Sequence, residues 1–230
     1  MKDILVSIVI PCYNNAGTLT EAVQSCVDQM YRNLEIIIIN DGSTDGTEEI
    51  IDSLTKKFIH VKAYSQDNLG PSKARNFGAS LATGTYIVFL DADDRFAPTF
   101  VKDCLEIFQK NIKVDIVYSR VEKFEAENGI WILPDYSLEA ILFGNCFPIS
   151  SMVSLEKFKT IGMFDENLQH AEDWEMWIRM TKSYPNAYKI EKTLLYYRKR
   201  YTKDSITDKN DVHNYSDNTH LYIYNKHYVK

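Results

Sequence analysis

Four short apolar runs separated by helical patterns constrain this chain more than any other feature. Leu5–Ile10, Glu35–Asn40, Val61–Tyr64 and Tyr86–Leu90 are rich in Ile, Val and aromatic residues and lack strict polar alternation, the pattern of strands buried on both faces. Between them, Thr18–Met30 sets Leu19, Ala22, Val23, Cys26, Val27 and Met30 on one helical stripe. Asp45-Gly-Thr-Glu48 resembles a capping box that opens a helix running to Leu54, and Pro71–Ala82, closed by Thr83-Gly84, makes a third. The order is βαβαβαβ. It implies a parallel sheet with right-handed crossovers and a ligand site at the carboxyl ends of the strands.

The pattern changes after Pro98–Asn111, which reads as another helix. Asp115–Phe124 is a predicted strand, Ser137–Gly144 a short helix, and Ser151–Ser154 a brief strand before Leu155–Ile161. Gly162-Met-Phe-Asp165 is a turn and Ala171–Ser183 a helix. With no internal repeat or low-complexity linker, this half is expected to pack onto the same sheet. Asp208–Lys230 is polar and Tyr-rich, a loosely held helix or a docking tail.

A chain of 230 residues suffices for one sizeable core or two fused halves. Its formal charge of −6 argues against general nucleic-acid binding. That charge is uneven: residues 182–230 hold eight Lys and two Arg against one Glu and four Asp, a net +5 that leaves −11 for residues 1–181. Cys12, Cys26, Cys104 and Cys146 form no Cys-x-x-Cys pair and have no local His partner, so reduced thiols are expected and neither a zinc site nor a disulfide framework. Ile4–Ile10, interrupted by Ser7 and stopped by Pro11, is too short for a signal core or a membrane span. A cytoplasmic location is the expectation.

The fourth apolar run ends in Asp91-Ala-Asp-Asp94, three carboxylates within four residues. Asp91 and Asp93, two apart, share a face of an extended strand. Hard divalent cations take such oxygen ligands, and Mg²⁺ completes its shell with water and substrate phosphates. The turn after the first strand, Pro11-Cys-Tyr-Asn-Asn15, lacks the glycine fingerprint of a dinucleotide site, and no Gly-x-x-x-x-Gly-Lys loop is present. Phosphate would therefore be held by metal and side chains.

Four segments in order carry a resemblance. Val6-Ser-Ile-Val-Ile-Pro-Cys-Tyr-Asn14, Ile39-Asn-Asp-Gly-Ser-Thr-Asp45, Asn68-Leu-Gly-Pro-Ser-Lys-Ala-Arg-Asn76 and Leu90-Asp-Ala-Asp-Asp94 resemble the family 2 glycosyltransferases. Glu172-Asp-Trp-Glu-Met-Trp177 adds that family's downstream Glu-Asp helix, so the resemblance covers residues 4–205. It implies an α/β fold of GT-A type, a Rossmann-like three-layer sandwich with a mainly parallel mixed central sheet. Residues 1–205 would form one domain, with a nucleotide-sugar-binding half at 1–112 and an acceptor-binding half at 113–205, followed by the basic tail at 206–230. The implied reaction is an inverting transfer from a nucleoside diphosphate sugar, a UDP-sugar favoured, to an acceptor hydroxyl. Mn²⁺ or Mg²⁺ would assist, and the acceptor would be a saccharide or lipid-linked saccharide in surface polysaccharide or glycoconjugate synthesis.

By the same resemblance Asp93 is the metal ligand, with Asp91 on ribose or reaching the metal through water, and Ala92 between them belongs to the donor site. Asp94 caps the following turn. Asp41 accepts a uracil imide N–H or binds a ribose hydroxyl; a turn-capping Asp in Asp-Gly-Ser-Thr is the competing reading. Pro11 and Tyr13 line the base pocket, where Tyr13 offers a stacking ring against the alternative of simple packing. Asn68 and Gly70 open the third helix, and Lys73 and Arg75 one turn inside it make an anion site, Arg75 being favoured, with surface salt bridging the competing reading for either cation. Asp173 is the catalytic base, ionised at neutral pH if its pKa is the usual value of about 3.9. Glu172 and Glu175 are its rivals, and Glu172 would orient a substrate hydroxyl. Of Trp174 and Trp177, one would pack in the core and the other stack on an acceptor sugar. Tyr197-Arg-Lys-Arg200 followed by Ser205-Ile-Thr207 resembles a segment that closes over the diphosphate; Arg200 stands where many relatives have His, and an ordinary basic loop is the alternative.

Two other functions compete. Ile87–Asp93 also resembles the nucleophile strand of haloacid-dehalogenase-type phosphatases, but that motif normally opens its domain, and here three strands precede it. A non-catalytic nucleotide-sugar-binding or assembly subunit of the same fold is the stronger rival, and the presence of both Asp93 and Asp173 argues for the enzyme. The cationic, Tyr-rich tail would also suit peripheral contact with the inner face of an anionic membrane.

Overall fold

The structure, a computed structural model, describes residues 4–168, 170–202 and 215–228. β1 (Val6–Cys12) and β2 (Leu34–Asp41) are buried at every position, as interior strands covered on both faces must be. They run parallel, and β3 (Val61–Gln66) and β4 (Tyr86–Phe89) extend the parallel array on either side. All four strand ends fall within two residues of the expected ones.

Beyond β4 the sheet changes sense. β8 (Met152–Ser154) lies antiparallel to β4, and β6 (Ile116–Glu125) antiparallel to β8. β9 (Ala187–Lys199) then runs parallel to β6 and carries the two-residue β5 (Arg95–Phe96) on its outer side. β7 (Gly129–Trp131) forms a hairpin with β6. Among the described residues this is one sheet with strand order β3-β2-β1-β4-β8-β6-β9-β5.

Helices cover both faces, giving the three layers expected. The alternation of side chains along β1 sends Val6, Ile8 and Ile10 to one core with α1 (Leu19–Val27), α2 (Thr47–Lys57) and α4 (Phe100–Lys110). Val9 goes to the other, with α3 (Pro71–Leu81), α6 (Leu155–Thr160) and α7 (Glu172–Ser183). The short α5 (Ala140–Phe143) sits near the start of α7. Gly78 allows α3 to lie close on the sheet, since a methyl there would stand 2.3 Å from Val9 Cγ1. Ser7, the polar interruption in β1, donates to Glu35 Oε1 at 2.6 Å, and Glu35 also accepts from the Thr83 N–H, tying the sheet's far end to the chain after α3.

Two expectations change and one is borne out. The capping box is not formed: Asp45 accepts from Thr47 N at 3.0 Å, but Glu48 turns to the Asn40 side chain instead of back toward the helix start. Tyr197–Lys199, read as part of a loop, belongs to the thirteen-residue strand β9. The helix expected as one reading of the tail is present as α8 (Tyr215–His227), and its Ile223 is fully buried. The boundary expected at 205/206 and the Ser205-Ile-Thr207 segment lie outside the described residues. No helix among the described residues is long and apolar enough to cross a membrane.

Candidate active site

Because β1, β2 and β4 are parallel, their carboxyl ends bring Pro11–Tyr13, Asp41 and Asp91–Asp94 to one edge of the sheet. Pro11 is buried in the strand, whereas the Tyr13 side chain is exposed. Asp41 is buried and already engaged: Oδ1 accepts from Gln66 Nε2 and Leu69 N, and Oδ2 accepts from Gly70 N at 2.9 Å. It thereby holds the turn into α3. A carboxylate has about four lone-pair sites, so a nucleotide would share Asp41 with this turn. Gly70, at φ +92°, takes the left-handed conformation that the turn needs, and Asn68 beside it is exposed. Lys73 is half-buried one turn further on.

Each carboxylate at the end of β4 meets an arginine. Asp91 Oδ1 lies 2.7 Å from Arg75 Nη2, and Asp93 Oδ2 lies 2.8 Å from Arg200 Nη2. Asp94 is buried and accepts the Arg198 backbone N–H at 2.8 Å. Burial, then its neighbours Asp93 and Asp91, hold its carboxyl well above the usual range. It is thus a strut between the turn and β9. Burial and Asp91 also raise Asp93, against the pull of Arg200. Ala92 is buried behind them. Arg198, within the Tyr197-Arg-Lys-Arg200 segment but given no role of its own there, donates through Nε to the Asp93 carbonyl at 2.8 Å and pairs with Glu125 and Glu21. One signal for it existed: it stands two residues before Arg200, on the same face of an extended strand.

Arg75, expected to grip phosphate, meets two carboxylates of the protein. It is buried, with Nη2 on Asp91 and Nη1 on Glu172 Oε1 at 2.6 Å, and its Nε, also buried, has no partner among the described residues. Burial alone would ease its proton off; Asp91 and Glu172 more than offset this and raise its pKa. Arg75 therefore joins the end of β4 to the first turn of α7.

That turn carries Asp173. Its Oδ2 accepts from Asn145 Nδ2 at 2.8 Å and its Oδ1 from the Trp174 N–H at 2.8 Å. Burial first, then Glu172, push its pKa up to about 7, so the expectation of an ordinary ionised carboxylate does not hold. Ala171, just before the helix, has φ +52°, an uncommon left-handed conformation for a residue with a side chain. Glu175 is fully buried against Arg179, turned away from Asp173's partners.

Of the two tryptophans, one expected in the core and the other at an acceptor sugar, both are buried. Trp177 is 1% exposed and packs on Phe147; Trp174 is 9% exposed and donates Nε1 to the Ile141 carbonyl at 2.6 Å. Residues three apart lie on one helical face, and here that face meets the core. Asn145 had no sequence signal, lying in a loop with no motif around it.

The model of the family described as Glycosyl transferase family 2 matches residues 7–213. An uncharacterized glycosyltransferase of Rickettsia typhi is 33% identical over 191 residues, 77% of this chain and 59% of that protein. Chondroitin synthase of Pasteurella multocida is 31% identical over 182 residues, 77% of this chain and 19% of that protein. The chain thus spans three-fifths or less of these relatives' lengths. In fold it is similar to S. aureus TarS 1-349 in complex with UDP, at TM-score 0.72 and 22% identity, covering 91% of this chain and 63% of that one. It is also similar to the mannosyltransferase PcManGT from Pyrobaculum calidifontis in complex with GDP-Man and Mn²⁺, at TM-score 0.66 and 17% identity, covering 83% and 56%.

Proposed function

The chain belongs to glycosyl transferase family 2, and from that membership we propose that it moves a sugar from a nucleoside diphosphate sugar to an acceptor hydroxyl, inverting the anomeric carbon in one displacement. The observation that carries this reading is the double contact of Arg75. Through it the strand-end carboxylates and the Glu172-Asp173 turn, distant in sequence, form one charged cluster. Residues 1–112 would serve the donor and 113–205 the acceptor.

In this reading Asp173 is the base. A carboxyl near pH 7 in its proton affinity is matched to taking a hydroxyl proton at neutral pH, and such a positioned base contributes about 10²–10⁴-fold. Glu172 is occupied by Arg75, which leaves Asp173 as the carboxylate of this turn for the acceptor. Arg200 and Lys73 are the cations for the leaving diphosphate. Tyr13 is the ring for the base, with Pro11, Asp41, Asn68, Gly70 and Ala92 shaping the donor pocket.

The donor set fits a divalent cation. Asp91 and Asp93 are hard oxygen ligands, each using one oxygen on its arginine, and a cation between them would offset the Asp91 charge that, after burial, raises Asp93. These two residues would hold Mn²⁺ or Mg²⁺, which would neutralise charge as the nucleoside diphosphate leaves.

A UDP-sugar is favoured because fold neighbours are solved with UDP and UDP-GlcNAc, although another holds GDP-Man. Relatives named chondroitin and hyaluronan synthase support a saccharide acceptor in polysaccharide synthesis. Membrane contact through the tail loses one of its cations, since Lys226 faces Asp165 and Glu175.

A thermal-shift panel of UDP, GDP, UDP-GlcNAc and GDP-Man, with and without Mn²⁺ or Mg²⁺, tests the donor site. A ligand at 100 times its Kd adds about 2.7 kcal/mol. The reading fails if no nucleotide raises the midpoint under any metal condition.

A further inference from the structure

Asn145 lies in the loop after α5 and belongs to none of the motifs discussed above, yet its side chain is the one that meets Asp173. Its amide orientation is determined by a neighbour: the Phe147 backbone N–H donates to Asn145 Oδ1 at 3.1 Å, so Nδ2, the donor end, is what points at Asp173 Oδ2. Phe147 is fully buried and packs against Tyr118, Tyr136 and Trp177, with ring centroids 5.0, 4.8 and 5.4 Å apart. The Trp174–Ile141 hydrogen bond is a second tie between the α5 region and the first turn of α7. Asn145 and Asp173 are therefore mounted on one body.

We propose that Asn145 is a positioning residue for Asp173, turning the carboxylate so that its outer lone pairs face the acceptor and favouring its ionised form. This rests on the reading of Asp173 as the base. Each Asp173 oxygen accepts one N–H, from Trp174 and from Asn145, and each keeps a second lone pair for a proton. The charged groups around it are Glu172 on its own helix, Arg75 from α3 and Asp91 from the end of β4; the carboxylates raise its proton affinity and Arg75 lowers it. Asn145 adds a neutral donor to the charged form, which acts in the same direction as Arg75.

The test is the ¹³C NMR titration of the Asp173 carboxyl in the full chain labelled at Asp, assigned by its absence in Asp173→Asn. In Asn145→Ala the midpoint is expected to rise by about one pH unit, the size of one lost hydrogen bond to a charged group. Asn145→Asp keeps an acceptor for Phe147 N–H, removes the donor and adds a like charge, so its midpoint should rise at least as far. An unmoved midpoint in both variants, with native spectra elsewhere, overturns the proposal. UDP release from UDP-GlcNAc is followed in parallel across pH. If its acid limb moves with the NMR midpoint, the positioning role is supported. If Asp173→Asn releases UDP as fast as the parent, the base reading fails, whatever the titration shows.

Discussion

Arg75 Nη1 stands 2.6 Å from Glu172 Oε1 across ninety-seven residues of chain, and this contact ties α3 to α7. With Asp91 on its other nitrogen, the guanidinium is the only ion-pair partner of either carboxylate among the described residues. Arg75→Met should leave two partly buried carboxylates without a cation, at a cost of about 3–5 kcal/mol in urea unfolding. Arg75→Lys should fall between, since one ammonium lacks the fork that spans both partners. A lysine variant as stable as the parent would show that the bridge is not needed.

Asp173 links stability and activity with opposite signs. Its folded pKa of about 7 lies above the unfolded value of about 3.9, so its contribution to stability is present below about pH 3.9 and is lost as pH rises through 7. Asp173→Asn, neutral at every pH, should therefore melt above the parent at pH 8, with a gap that narrows toward pH 5. Transfer should drop by about 10²–10⁴-fold while donor binding is kept. An Asn variant that melts below the parent at pH 8 would mean that the carboxylate is not under strain.

How much of this was legible depended on whether the determining contacts were local. β1 and β2 announced themselves because burial on both faces demands an unbroken apolar run. β9 did not: its exposure alternates irregularly, its pairing with β6 shifts register around Arg120, and its partner lies some seventy residues away. Asp41, Asp91 and Asp173 were visible as motif residues. That Asp41 holds the α3 turn, and Arg75 two carboxylates, depends on chain segments that meet only in the folded molecule. The two buried tryptophans were legible in principle, because their spacing of three puts both on one helical face.

Arg198 is expected to matter for the Asp93–Asp94 turn more than its place on the last strand suggests. Its backbone N–H stays with Asp94 in Arg198→Ala, which removes the guanidinium contacts with Glu21, Glu125, the Asp93 carbonyl and the Phe124 ring. The loss should be about 1–3 kcal/mol. Hydrogen exchange at the Asp94 amide, which donates to the Asp91 carbonyl at 3.0 Å, should quicken by more than the global loss accounts for. Exchange that follows global stability alone would remove Arg198 from any role in holding the turn.

Helix α8 should act as a polar clamp on α7. Glu175 is fully buried and contacts Arg179, Lys226 and His227, the last two from α8. Burial alone would raise its pKa, but hydrogen bonds from His227, Arg179 and Lys226 more than offset this and hold it at about 2. A depressed carboxyl stabilises above its unfolded value of about 4.3, and that contribution is lost as pH falls through 2. Removing residues 215–230 takes away two of its three hydrogen-bonding partners, so the acid unfolding midpoint should move up toward pH 4. Glu175→Gln should then cost less in the shortened chain than in the full one, because the partners it would abandon are already gone. Equal costs in the two backgrounds, with coincident acid midpoints, would show that α8 rests on α7 without holding it.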